Sequence, residues 1–99
     1  MDIKIFLVIK HKKDKQPFEQ ALLKIKGNVL VTTFFKPSDA YTHLNELVPN
    51  LVIIDSLFGN EAIVEFSAFL VQKHIDIPYI VLLHDKNNMV FYGKTNLHN

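Results

Sequence analysis

The stretch Pro49-Asn50-Leu51-Val52-Ile53-Ile54-Asp55 decides how this chain is read. Pro49 and Asn50 break a preceding helix, and the four apolar residues that follow, rich in β-branched side chains, stop abruptly at a carboxylate. A run that is apolar at successive positions presents oil to both faces of a sheet, which only a strand covered on both sides can use. Helices are therefore expected on either flank.

Upstream, a helix that buries Ala40, Leu44, Leu47 and Val48 fits the segment opened by Lys36-Pro37-Ser38, with Ser38 offered as its N-cap. Before it, residues 28–35 carry Val29, Leu30, Val31 and two threonines and read as a strand. Residues 14–26 place Phe18, Ala21, Leu22 and Ile25 on one helical face, and Gly27 stands just past the end, where a left-handed conformation costs least. Residues 3–9 form the first apolar run.

Downstream, Leu57-Phe58-Gly59-Asn60 reads as a loop, residues 61–74 as a third helix and residues 77–83 as a fourth strand with Pro78 near its start. Lys86-Asn87-Asn88 marks a turn, residues 89–92 suit one further short strand, and residues 93–99 form a polar tail whose composition does not demand order. The alternation gives three βα units and a fourth strand, hence an α/β fold: an open, doubly wound parallel sheet in the order 2-1-3-4, with a short fifth strand available. In such a sheet a site lies at the strand C-termini where the order reverses, beside Lys10-His11, Asp55 and His84-Asp85.

The 99 residues suit one domain, 48% apolar and 21% charged. A formal charge of +1 is too near neutral for the broad basic surface of a nucleic-acid binder. With no cysteine, disulfides, thiol catalysis and cysteine-held metals are excluded, and a cytoplasmic setting is expected. The apolar run of residues 5–9 is too short for a signal-peptide core or a membrane span, so no membrane role is expected.

At residues 49–55 and 77–82 the chain resembles the third and fourth strands of response-regulator receiver (CheY-like) domains, and the order and spacing of elements follow that family over residues 3–84. The resemblance implies a flavodoxin-like fold and a role in two-component phosphorelay signal transduction, with a histidine kinase or another signalling protein as partner. It makes Asp55 the candidate phospho-acceptor and Lys94, after residues 89–92, the candidate phosphate-contacting lysine. The chain departs from the family pattern elsewhere. The acidic pair that holds Mg²⁺ should close the first strand, which here closes on Lys10-His11-Lys12-Lys13, with Asp14 several residues late. The small hydroxyl expected after the fourth strand falls on Leu83 or His84. These departures imply a truncated, degenerate pseudo-receiver that is not an enzyme and works by protein contact, Mg²⁺ being needed only if the receiver is active. Asp55 is then expected to face a lysine, Lys10, Lys12 or Lys94, or to cap the following loop through backbone N–H groups.

A rival reading takes His11, Asp55 and His84 as two imidazoles and a carboxylate converging at the strand ends, a small stand-alone enzyme or ligand and metal binder, with Asp14 a further weak ligand. No His-x-x-x-His or His-Glu-x-x-His spacing supports it, so separate surface histidines and no cofactor are expected. The basic run of residues 10–15 reads as a solvated loop before an acidic contact. The third helix points Ala62, Ile63, Phe66, Phe69 and Leu70 at the sheet, yet Val64, Ala68 and Val71 form a second stripe. That stripe, and the apolar strand of residues 79–83 if it lies at an edge, predict a homodimer or docking on another protein.

Overall fold

The computed structural model describes residues 2–25, 27–84 and 89–95, the last two strands by their backbone. β1 (Asp2–Val8) leads through a 3-10 turn (Lys12–Asp14) to α1 (Lys15–Leu23), and β2 (Asn28–Phe34) leads to α2 (Pro37–Leu44). β3 (Leu51–Asp55) continues into a second 3-10 turn (Ser56–Phe58) and α3 (Asn60–Gln72), followed by β4 (Pro78–His84) and β5 (Met89–Thr95). The protein is α/β: β1, β2 and β3 run parallel, with β1 between the other two. In the backbone pairing β4 adds parallel to β3, and β5 adds antiparallel to β4, for the order β2-β1-β3-β4-β5.

Two apolar layers sandwich β1 and β3. Ile5, Leu7, Ile9 and Ile53 meet Phe18 and Leu22 of α1 on one face. Phe6, Val8, Val52 and Ile54 meet Ala40 and Leu44 of α2 and Phe66 and Leu70 of α3 on the other. Alternate residues of one strand thus feed opposite layers, which is why residues 5–9 and 52–54 are apolar throughout. Phe6 meets Phe34 edge-on at 5.1 Å, and Tyr41 stacks on Phe69 at 4.4 Å, tying α2 to α3.

Asn50, not the end of α2, sets the entry to β3. The Asn50 side-chain oxygen accepts the Lys4 N–H at 2.7 Å, and the Asn50 N–H donates to the Lys4 carbonyl at 2.8 Å. One residue thus pairs with β1 in both directions just ahead of β3 and pins its register, Ile5 opposite Leu51 through Val8 opposite Ile54.

Several local expectations are corrected. α2 begins on Pro37 itself, which needs no N–H at the first helical position, so its N-cap is Lys36 rather than Ser38. It ends at Leu44, so Leu47 and Val48 lie beyond it and are 42% and 52% exposed instead of buried. α1 stops at Leu23, leaving Ile25 exposed, and Ala21 faces water, so Phe18 and Leu22 alone anchor it. Gly27 does adopt a positive φ of 108°, in the turn that enters β2. No helix among the described residues is long and apolar enough to cross a membrane.

Candidate functional site

The strand order reverses between β1 and β3, and Asp55 stands at the end of β3 at that point. It is the one buried charged residue among the described residues, at 0% exposure. Its two oxygens are held by backbone amides from two directions. Oδ1 accepts the Leu57 N–H at 2.9 Å, capping the 3-10 turn that follows β3, and Oδ2 accepts the Lys10 N–H at 3.1 Å from the end of β1. Charge-assisted bonds of this kind supply what a carboxylate loses when water is removed.

The loop after β1 closes over the same point. Ile9 donates its N–H to the Phe34 carbonyl at 3.0 Å, which holds the end of β1 against the end of β2 and aims the next residue at β3. The Lys10 ammonium reaches the Leu57 carbonyl at 3.4 Å, a long contact that spans the mouth between the two loops. Lys12 lies over the Phe35 ring at 5.8 Å, beside β2. Of the alternatives posed for Asp55, the backbone cap is realised.

The remaining candidates are placed as follows. His11 is the exposed N-cap residue of the first 3-10 turn, and Asp14 ends that turn with no side-chain capping bond. His84 closes β4 opposite Met89. Lys94 does not lie in the row of Asp55: the register sets Asp55 beside Leu82 and Phe91, whereas Lys94 is opposite Tyr79, in the row of Val52. The cause is direction. An antiparallel β5 carries its last residues toward the start of β4, away from the strand ends where Asp55 stands. Asp85 lies outside the described residues. Among the described residues no group of three or more His, Asp and Glu could hold a metal ion.

A polar contact outside the expectations drawn from the sequence joins α1 to β2. Glu19 accepts a hydrogen bond from the Thr33 hydroxyl and pairs with Lys15 at 3.0 Å. The Thr33 bond, with smaller help from Lys15, holds the Glu19 carboxyl below its ordinary value despite opposition from burial. Lys15 and Glu19 stand at i and i+4, a legible pair, but Thr33 is fourteen residues further on and only the packing of α1 on β2 brings it there.

No known family model, curated protein or solved structure matches this chain.

Proposed function

We propose that this chain is a receiver-like signalling module of the two-component type, with a flavodoxin-like sheet, that acts as a pseudo-receiver through protein contacts. The observation that carries the reading is the state of Asp55: at the position where a receiver offers a reactive carboxylate, each oxygen accepts a backbone amide, from Lys10 and from Leu57, and the residue is fully buried. A phospho-acceptor must present an oxygen to an incoming phosphoryl group and have a cation beside it to offset the charge that gathers there. Asp55 instead ties the end of β3 to the end of β1 and sets the start of the turn into α3. Signalling by such a module rests on which surfaces the tie holds in place. Histidine kinases and other signalling proteins, or a second copy, are the partners this reading implies, in the cytoplasm and without nucleic acid or cofactor.

The test is an amide NMR titration of the labelled protein with Mg²⁺ and then beryllofluoride, which mimics an aspartyl phosphate, with Asp55→Asn as control. No shift at Lys10, Asp55 or Leu57 is expected with either reagent. Saturable shifts there that vanish in the variant would overturn the proposal and make the protein a working receiver.

A further inference from the structure

β2 is an edge of the sheet, with β1 on one side and no strand among the described residues on the other. The phase of its main chain follows from one bond: the Phe34 carbonyl accepts the Ile9 N–H at 3.0 Å and so points toward β1. Backbone groups alternate sides along a strand, so Val29, Val31 and Thr33 turn their N–H and C=O groups outward. Among the described residues no protein group bonds to them. The strand also lacks what usually keeps such an edge single, because residues 28–35 contain no charge and no proline. An open ladder of this kind is read by a polypeptide in extended form, which answers N–H with C=O along its length.

The end of β2 selects the chemistry of that polypeptide. β1 and β2 run parallel, with Val8 opposite Phe34, so the loop of residues 10–13 and the exposed Lys36 leave the sheet side by side. The Lys12 ammonium over the Phe35 ring marks the approach. The basic run of the sequence thus gains a further lysine from the next strand. Lys10, Lys12, Lys13 and Lys36 are exposed and make no ion pair among the described residues. The carboxylates nearest them along the chain are Asp14, Glu19 and Asp39, and Glu19 is already engaged by Lys15 and Thr33. Positive charge is in excess at this corner, and acidic side chains complement it.

The same features set other occupants aside. A second copy of β2 brings no carboxylate, since the sequence has no Asp or Glu between Glu19 and Asp39 and the strand is flanked by Lys24, Lys26 and Lys36. A single-stranded nucleic acid needs open aromatic faces for its bases, and Phe35 lies under Lys12 while Phe34 is buried.

We propose that the outer edge of β2 is a docking strand for an extended acidic segment of a partner protein, its main chain pairing with Val29, Val31 and Thr33 and its carboxylates meeting Lys12, Lys13 and Lys36. The proposal rests on the protein-contact reading above in one respect only, that the partner is a protein. The pairing is antiparallel, the more stable arrangement, so the acidic residues precede those that pair.

The probe is a synthetic peptide, four glutamates followed by alternating valine and threonine, titrated into the labelled full chain at ~0.15 M salt, where exposed charges are already screened. Amide shifts are expected at Lys12, Thr33 and Lys36, with hydrogen exchange slowed about tenfold or more at Val29, Val31 and Thr33. Lys12→Glu together with Lys36→Glu, at exposed sites outside the core, should weaken binding about 10-fold. Val31→Pro should abolish it and leave the fold intact, because an outward N–H on an edge strand is where proline is tolerated. The same peptide N-methylated on the groups that face β2 keeps its glutamates and should not bind. Unchanged exchange at the three amides overturns the proposal, as does unchanged affinity in the double lysine variant or equal binding of the N-methylated peptide. Tighter binding of inorganic polyphosphate, single-stranded DNA or anionic vesicles at the same lysines also overturns it, by making the corner a general polyanion site. A chain that dimerises alone with the same amides protected overturns it in favour of a second copy. None of these results touches the pseudo-receiver reading, which stands or falls on the beryllofluoride titration.

Discussion

Replacing Asp55 should show whether this carboxylate belongs to the scaffold or to a reaction. Asp55→Ala removes the acceptor for two part-buried backbone donors, the amides of Lys10 and Leu57. Each donor left without a partner costs about 1–3 kcal/mol, so the gross loss is ~2–6 kcal/mol. The gain from no longer burying a charge offsets part of it, and the net is a loss of about 3 kcal/mol. Asp55→Asn keeps one acceptor oxygen and turns an N–H₂ toward the other donor, so it should lose about 2 kcal/mol. Guanidinium unfolding at neutral pH, with coincidence of fluorescence and far-ultraviolet circular dichroism as the two-state check, reads both values directly. In a thermal scan the alanine variant should melt some 12–24 °C lower, at about 4–8 °C per kcal/mol for a domain of this size. The sign matters most. A residue kept for chemistry is held against the interest of the fold, and its replacement often stabilises. If Asp55→Asn proves more stable than the wild type, the reasoning that makes Asp55 a structural tie is refuted.

Two further outcomes follow from the described contacts. The Thr33 hydroxyl lowers the Glu19 pKa, so the folded chain prefers Glu19 ionised: this contribution is present above the ordinary glutamate range and is lost as pH falls through the lowered value. Thr33→Val should raise the Glu19 pKa toward normal in a side-chain carboxyl NMR titration and flatten the acid limb of stability; an unmoved titration would show that the bond does not form in solution. Phe66→Ala, at a site with 0% exposure against Tyr41, should cost ~3–5 kcal/mol, while Leu47→Ala, 42% exposed, should change denaturant stability by less than about 0.5 kcal/mol. A large loss at Leu47 would mean that α2 continues past Leu44.

Much of the architecture around the site is legible in the order of residues alone. Periodicity places Phe66 and Leu70 inward and Val64, Ala68 and Val71 outward, because a helix repeats every 3.6 residues and the two sets fall on different sides. The expectations fail where a local rule meets a second one. Leu47 and Val48 continue the helical period of α2, but Pro49 denies helical backbone to the residue before it, and the chain has already left the helix at Asn45. Lys94 reaches the phosphate position only if the strand before it runs parallel to its neighbours. Only four residues separate β4 from β5, enough for a hairpin and far too few for the crossover that a parallel neighbour requires. The shortness of that connection is itself a property of the sequence, and it turns the last strand around.

The sequence by itself determined the elements: apolar runs covered on both faces, helices with one buried stripe, a proline-broken entry to β3 and an aspartate at its end. These are local consequences of side-chain period and backbone restriction, and they need no knowledge of what packs where. Only the tertiary structure decided what Asp55 holds. Among what it holds are the amide two residues on and the amide 45 residues back, and no pattern along a chain states which backbone N–H groups will lie within about 3 Å of a given carboxylate once β1 and β3 pair. Lys10 shows the same division. Its charge suggests an ion pair with Asp55, yet the bond to Asp55 is made by its backbone, because register brings the main chain of a strand end close while the ammonium reaches past it to the Leu57 carbonyl.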